Sequence, residues 1–344
     1  MHSINRLLLT RMKFIGDVIL TTPVIHALRD TFPRAYIAYL GEKKAVSLLE
    51  HNPYLDEIIP YDFSRPSIIE QPRMALELRR RKFDVVVDLF SNPRSALLTF
   101  LSGAPMRIGK DVRGRGRFYT HRIQDIGSLK CAIEYHYSYV APLGVNPSHW
   151  RTEIFLTDDE KREARLYLKH SGVDLSKPVI AMHPGATWHN KMWFRENFVK
   201  LADLLRAKLG AEVLINPGPD DRELVDAIVR RCTAPVHTLP VLPLRQLAAV
   251  LSLCNVFVSN DCGPMHIGIA VGTKTIGIFG PEPIEVWFPY PEQDGHKALF
   301  KKIECSPCRV TKCFRDEEHF MECMKQLSVE EVYEEVKKRV IHQE

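Results

Sequence analysis

Three short loops of this 344-residue chain collect residue types suited to holding an anion. The stretch Ser259–Gly280 reads SNDCGPMHIGIAVGTKTIGIFG. An apolar run ends at Ser259, a tight loop carries Asp261 and Gly263, and a helix opens at Pro264. The first N–H groups of a helix lack internal partners and sit at the positive end of its dipole, so Gly263, Pro264 and Met265 border an anion site. Asp261 in the same loop would repel a phosphate, so a bare phosphate does not explain the stretch. His266 lies near the helix start, where it can bond a ligand or pack. The second loop, Met182–Phe194, reads MHPGATWHNKMWF. Gly185 lets a ligand approach the backbone, Ala186 and Thr187 offer amides and one hydroxyl, and Lys191 supplies a point charge. Its spacing is not that of a P-loop, and an ordinary strand–helix connection also fits. The third, Thr10–Pro23, reads TRMKFIGDVILTTP. Gly16 permits a turn and Asp17 begins a helix, where an aspartate can cap the helix or do chemistry. Pro23 lacks an N–H, so the helix kinks or restarts there.

Each loop follows a candidate strand. Short β-branched runs at Arg6–Thr10, Tyr36–Leu40 and Val85–Leu89 alternate with helical patterns in the first half. Val179–His183, Glu212–Asn216, Val256–Ser259 and Thr275–Phe279 do so in the second. Such alternation predicts an α/β fold of parallel sheets with right-handed crossovers, and the series runs twice. The expected architecture is two doubly wound, Rossmann-like domains facing a central cleft, because open α/β sheets bind ligands at their strand C-terminal ends. The expected bounds are 1–150 for the first domain, 151–177 for an interdomain crossing, 178–327 for the second domain and 328–344 for a C-terminal amphipathic helix.

Hydrophobic and charged contents of 45% and 26% are those of an ordinary globular protein, and a formal charge of +5 announces neither nucleic acid nor membrane. The charge is uneven, however. Arg107, Lys110, Arg113, Arg115, Arg117 and Arg122 crowd around a lone Asp111, which suits an anionic partner or a solvated basic loop. That run lacks the interleaved aromatics of a nucleic-acid surface beyond Phe118 and Tyr119, so no nucleic-acid partner is expected. The N-terminal residues lack a secretory pattern and no apolar run approaches a spanning helix, so the chain reads as cytoplasmic with at most peripheral membrane contact. No G-x-G-x-x-G follows a strand, which disfavours a nicotinamide enzyme. Four of eight cysteines, Cys305, Cys308, Cys313 and Cys323, crowd together. Free thiols, a structural zinc site and a redox disulfide all fit their spacing.

The segments GDVILTTPVIHAL, HPGATWHNKMW and SNDCGPMHIGIAVG, with the later F-G-P and CSPC, resemble the heptosyltransferases of lipopolysaccharide inner-core assembly, glycosyltransferase family nine. The resemblance runs over nearly the whole chain. It implies a two-domain GT-B fold and inverting transfer of a heptose from ADP-heptose, without cofactor. It implies a general base at Asp17, donor-phosphate contacts at Lys191 and around Thr187, and a donor motif at Asp261, Gly263, Pro264 and His266. No D-x-D pair calls for a diphosphate-bridging metal, so none is expected for catalysis. The first domain would take the acceptor, with Gly16, Arg107, Lys110, Arg113, Arg115 and Arg117 meeting its anionic Kdo and phosphate groups. The Asp261 tension then eases: helix amides take phosphates while the carboxylate accepts bonds from sugar hydroxyls. Cys262 stands where Ser or Thr is usual, Phe194 replaces a proline and Gly268 an alanine. Rival readings are a transferase for another sugar, a nucleotide-sugar epimerase of the same architecture, and a non-catalytic two-lobed binding protein.

Overall fold

The computed structural model describes residues 4–123 and 131–341, which divide into two compact units at the Phe155/Leu156 peptide. In the first unit six parallel strands run β1 Arg6–Thr10, β2 Tyr36–Glu42, β3 Glu57–Tyr61, β4 Val85–Asp88, β5 Met106–Lys110 and β6 His121–Ile123. Their order across the sheet is β3-β2-β1-β4-β5-β6. The second unit repeats the plan with β7 Val179–His183, β8 Glu212–Ile215, β9 His237–Thr238, β10 Val256–Asn260, β11 Lys274–Ile278 and β12 Lys297–Leu299. Their order is β12-β11-β10-β7-β8-β9, the same doubly wound topology. The central strands are apolar runs because helices cover both faces of such a sheet: Leu7, Leu8 and Leu9 of β1, and Val256, Phe257 and Val258 of β10, have no exposed surface.

In each sheet the order reverses between two neighbours, β1 with β4 and β7 with β10. Loops leaving these strands at their C-terminal ends diverge to opposite faces and open a crevice. All three loops singled out in the sequence leave such strands: Thr10–Pro23 follows β1, Met182–Phe194 follows β7, and Asp261–Gly263 follows β10.

The crossing expected over 151–177 is divided between the units. Its helix Asp158–His170, capped by Thr157 and Glu160, lies in the second. Arg245 of helix Leu244–Leu251 grips both Glu160 oxygens at 2.5 and 2.6 Å. Helix Val329–Ile341 buries Val329, Val332 and Val336 in the second unit's core, while residues 342–344 lie outside the described residues. The Arg245 hydrogen bonds hold the Glu160 pKa down at about 2 from the usual 4.5. A folded pKa below the unfolded one stabilises above pH 4.5 and loses that contribution as pH falls toward 2. With the Glu160 side chain 24% exposed, solvent screening leaves about 1–2 kcal/mol. Glu160→Gln is therefore expected to lose about that much in urea unfolding at pH 7, with the gap to the parent less than half as wide at pH 3. A gap independent of pH contradicts the assignment.

Candidate active site

In the second unit, the β7 and β10 loops meet. Lys191, in the turn His189–Lys191, reaches Asp261 with its Nζ 2.7 Å from Oδ2, and lies 4.6 Å from the Trp188 ring centre. Burial pushes the Asp261 carboxyl up from its ordinary value; the Lys191 charge opposes this and nearby Glu282 adds to it. Asp261 is thus paired with Lys191 across the two loops. Gly185 is buried, Ala186 is half-buried and Thr187 is exposed, so the Thr187 hydroxyl stands at the mouth of the loop. A Cβ on Gly185 would run into the Asp221 carboxylate. The glycine therefore makes room for Asp221, which accepts the Gly218 N–H at 2.9 Å and fixes the β8 loop beside it.

Sequence reasoning missed the residue that joins these loops. Asn260, fully buried at the end of β10, donates to Pro184 O at 2.7 Å and accepts from Trp193 N at 3.0 Å. Nothing in an S-N-D tripeptide marks such a bond, made across 76 residues. Asn190 is anchored in turn on Val310 O at 2.7 Å, and Trp193 on Leu327 O at 3.1 Å.

Helix Gly263–Ala270 has Cys262 at its N-cap, and the side chain makes no capping bond. Met265 N is spent on Cys262 O at 3.2 Å and Pro264 has no N–H, so of the three expected amides only that of Gly263 is left to a ligand. Cys262 Sγ lies 3.4 Å from Ser259 Oγ, and desolvation pushes its thiol up to about 12. It serves as a small neutral side chain at the strand end. His266 is buried with Nδ1 2.6 Å from the Tyr290 hydroxyl, which favours packing over ligand contact. Gly268 also has a local reason: a Cβ there would meet the Phe257 ring at 2.5 Å.

In the first unit, the Asp17 position differs from the expected cap. Phe14 is the N-cap of helix Ile15–Ile19, and Asp17 is its third residue, accepting Phe14 N–H at 3.4 Å. A second helix restarts at Thr22 with Pro23 in its first turn. Gly16 is buried inside the first helix and offers no side chain. Asp17 is ion-paired with Arg11, which lies 4.4 Å from the Phe90 ring centre and reaches Leu89 O at 3.5 Å. Arg11 therefore ties the carboxylate to the β4 loop. Buried His136 stands near the pair; burial first, then the Arg11 charge, push its pKa down to about 4.

The basic run is largely committed to its own loop. Arg107 donates to Phe118 O at 2.9 Å and Ala104 O at 2.7 Å, and Arg115 to Ser91 O at 3.0 Å. Lys110 lies over Tyr135, Arg117 over Phe118, and Arg113 is exposed. The four clustered cysteines are free thiols around a cavity of about 20 Å³. Among the described residues, only His26, Asp30 and His149 place three ligand atoms all within 4.8 Å of one another, so the cysteine sulfurs do not converge at metal distance.

Two doubly wound units, with a lysine–aspartate pair at one switch point and an arginine-held carboxylate at the other, define a GT-B-type protein. The sequence pattern of glycosyltransferase family 9 (heptosyltransferase) matches residues 72–319. The chain belongs to that family and is a glycosyltransferase. It is 30% identical over 292 residues to the lipopolysaccharide heptosyltransferase 3 of Escherichia coli, covering 81% of this chain and 84% of that one. The crystal structure of a family 9 glycosyl transferase from Veillonella parvula DSM 2008 superposes with a TM-score of 0.87 at 25% identity, covering 99% of both chains. The E. coli heptosyltransferase WaaC with ADP-2-deoxy-2-fluoro heptose shares the fold, with a TM-score of 0.72 at 20% identity and 97% and 99% coverage.

Proposed function

We propose that this glycosyltransferase moves a heptose from ADP-heptose to the inner core of lipopolysaccharide, with inversion at the anomeric carbon. The observation that carries the donor half is the Lys191–Asp261 pair at the β7/β10 switch point, where open α/β sheets hold nucleotide ligands. The donor diphosphate lies on the Gly185–Thr187 loop and the Gly263 amide, and draws Lys191 Nζ toward its oxygens. The acceptor hydroxyl oxygen attacks the anomeric carbon while the bond from that carbon to the phosphate oxygen breaks. ADP leaves with the electron pair, its charge met by Lys191 and the helix dipole. The hydroxyl proton passes to Asp17, held in place by Arg11. The chemistry draws on no cofactor, and all groups that take up charge are side chains or amides of the protein.

The family match and the E. coli and V. parvula relatives support this over an epimerase of the same architecture. The acceptor is lipid-anchored, and Phe14, Ile68 and Ile69 of the first unit are 63%, 82% and 59% exposed, which suits work at the cytoplasmic face of the inner membrane. No helix among the described residues is long and apolar enough to cross a membrane. Mass spectrometry of lipopolysaccharide from cells lacking the gene tests the reading. A core truncated at one heptose is expected, and the truncation point names the acceptor. A full-length core contradicts the reading.

A further inference from the structure

A polar cluster on helix Thr22–Thr31 of the first unit has no part in the chemistry above. His26 and Asp30 stand four residues apart on that helix, so their side chains share one face. His149 comes to the same face from far along the chain. Its Nε2 lies 2.7 Å from Asp30 Oδ2, and its ring stacks on that of His26 with centres 3.5 Å apart. One metal-ligating atom from each of the three residues lies within 4.8 Å of the other two. A fourth group, Glu153 Oε2, stands 3.4 Å from His26 Nδ1. Tyr54 stacks on His26 as well, with ring centres 3.7 Å apart.

The backbone beneath these side chains is pinned by bonds that do not involve them. The buried Tyr137 hydroxyl donates to His149 O at 2.8 Å and accepts from His149 N at 3.2 Å. The same hydroxyl lies 3.1 Å from Pro23 O, in the helix that carries His26 and Asp30. Glu153 N donates to Thr22 Oγ1 at 3.0 Å, on the first turn of that helix. The segment 149–153 is thus held in register with the helix, and the ligand-type atoms face one another on a fixed frame.

The charge is one-sided. Among the described residues, Asp30 and Glu153 pair only with the two histidines and with no lysine or arginine. Arg29, beside Asp30, is spent on Asp56 at 2.6 Å. An ordinary imidazole is mostly neutral at pH 7, so two carboxylates stand here without a full cation to meet them. Two imidazole nitrogens and a carboxylate oxygen are the donors that a borderline ion such as Zn²⁺ takes, whereas Mg²⁺ and Ca²⁺ want oxygen alone. Ligand atoms on a tetrahedral Zn²⁺ ion, with bonds of about 2.0–2.1 Å, stand roughly 3.4 Å apart. Side-chain rotation closes the present spacing to that value. An imidazole lone pair lies in the plane of its ring, so two rings on one ion do not stay parallel; binding turns His149 off His26.

We propose that His26, Asp30 and His149 form a binding site for a divalent transition-metal ion of the zinc type, with Glu153 positioning the His26 ring. The ion ties the segment 149–153 to helix Thr22–Thr31 and so closes a chain loop of about 120 residues, which stabilises the first unit. The role is structural and does not depend on which sugar the protein moves.

The test is metal binding to the full-length protein, free of any affinity tag and kept reduced. Zn²⁺ is read by competition with a chromogenic chelator, and Co²⁺ by its visible absorption. The parent is expected to bind one equivalent of Zn²⁺ here, and Co²⁺ to give the bands of nitrogen and oxygen ligation. His26→Asn, Asp30→Asn and His149→Asn are each expected to weaken binding at least tenfold, and Glu153→Gln about tenfold. Asp30→His supplies another ligand atom and is expected to retain the ion, which a plain Asp30–His149 pair does not predict. Zn²⁺ at about a hundredfold excess over its Kd is expected to raise the parent melting temperature by about 5 °C and to leave the three Asn variants unmoved. Melting temperatures near the parent's in chelator show that the variants fold; where one does not, His26→Gln or His149→Gln replaces it. Cys305→Ser with Cys308→Ser is expected to leave the nitrogen–oxygen bands unchanged. Absence of those bands, unaltered affinity in all three Asn variants, or loss of the bands in the cysteine variant overturns the proposal.

Discussion

Asp17→Asn is expected to lower kcat about 10³-fold while leaving ADP affinity within about twofold. The variant keeps the shape of the side chain and its bond to the Phe14 N–H but cannot take up a proton from an attacking hydroxyl. ADP binding is expected to hold because the proposed diphosphate contacts belong to the second unit. About 4 kcal/mol of transition-state stabilisation is therefore at stake, well above what a lost helix-start contact supplies. Stopped assays with saturating donor and acceptor, beside an ADP titration, measure both quantities. Turnover within threefold of the parent would mean that Asp17 serves only to hold the helix start and to pair Arg11.

Lys191→Ala is the second large effect, and its partner makes it diagnostic. Removing the lysine takes away the cation proposed to meet the diphosphate and leaves the buried Asp261 carboxylate without its partner. Loss of a charge-assisted contact together with an exposed repulsion is expected to lower kcat/KM for the donor by about 10²–10³-fold. Adding Asp261→Asn to Lys191→Ala removes the repulsion, so the double variant is expected to recover part of the loss. Direct bonds from Asp261 to the sugar hydroxyls, as the sequence implied, make the opposite prediction: the second substitution deepens the defect. Donor kcat/KM for the two single variants and the double one separates these, as interaction between neighbouring sites is what a double-mutant cycle reads.

The central sheets were legible because parallel strands covered on both faces are written as apolar runs, as in RLLLT of β1 and VFVSN of β10. The outer strands were not. β3 carries the exposed Pro60, β6 is the polar triplet HRI with two exposed residues, and β9 is two residues long. Edge strands need neither an unbroken apolar run nor a full ladder of N–H groups, and β-propensity carries little signal there. Helices Pro93–Leu101 and Ala132–Val140 escaped for a related reason, the second being rich in tyrosine and histidine that bury by hydrogen bonding, as Tyr137 does to His149 O.

The two loops that meet in the second unit stood out by type and order: glycine, hydroxyl and lysine after one strand, aspartate and a Gly-Pro helix start after another. What joins them was not. Lys191 meets Asp261 across 70 residues and Asn260 meets Pro184 across 76, and only the strand order brings such positions together. Arg11 was passed over because it sits two residues beyond an apolar run, where its chemistry shows only once β4 is known to lie beside β1. Cys262, the odd residue of the donor motif, is accounted for by its place: a small, neutral thiol against Ser259, where the helix has no capping side chain.

The most direct test of the account is a single transfer reaction. Purified protein is incubated with ADP-heptose of defined anomeric configuration and Kdo-lipid A without added divalent metal, and the product is examined by mass spectrometry and NMR. The account predicts an acceptor heavier by one heptose, with the new linkage inverted relative to the donor and equimolar ADP released. A product of retained configuration contradicts the in-line attack assisted by Asp17, and release of ADP with no glycosylated acceptor contradicts transfer to the inner core.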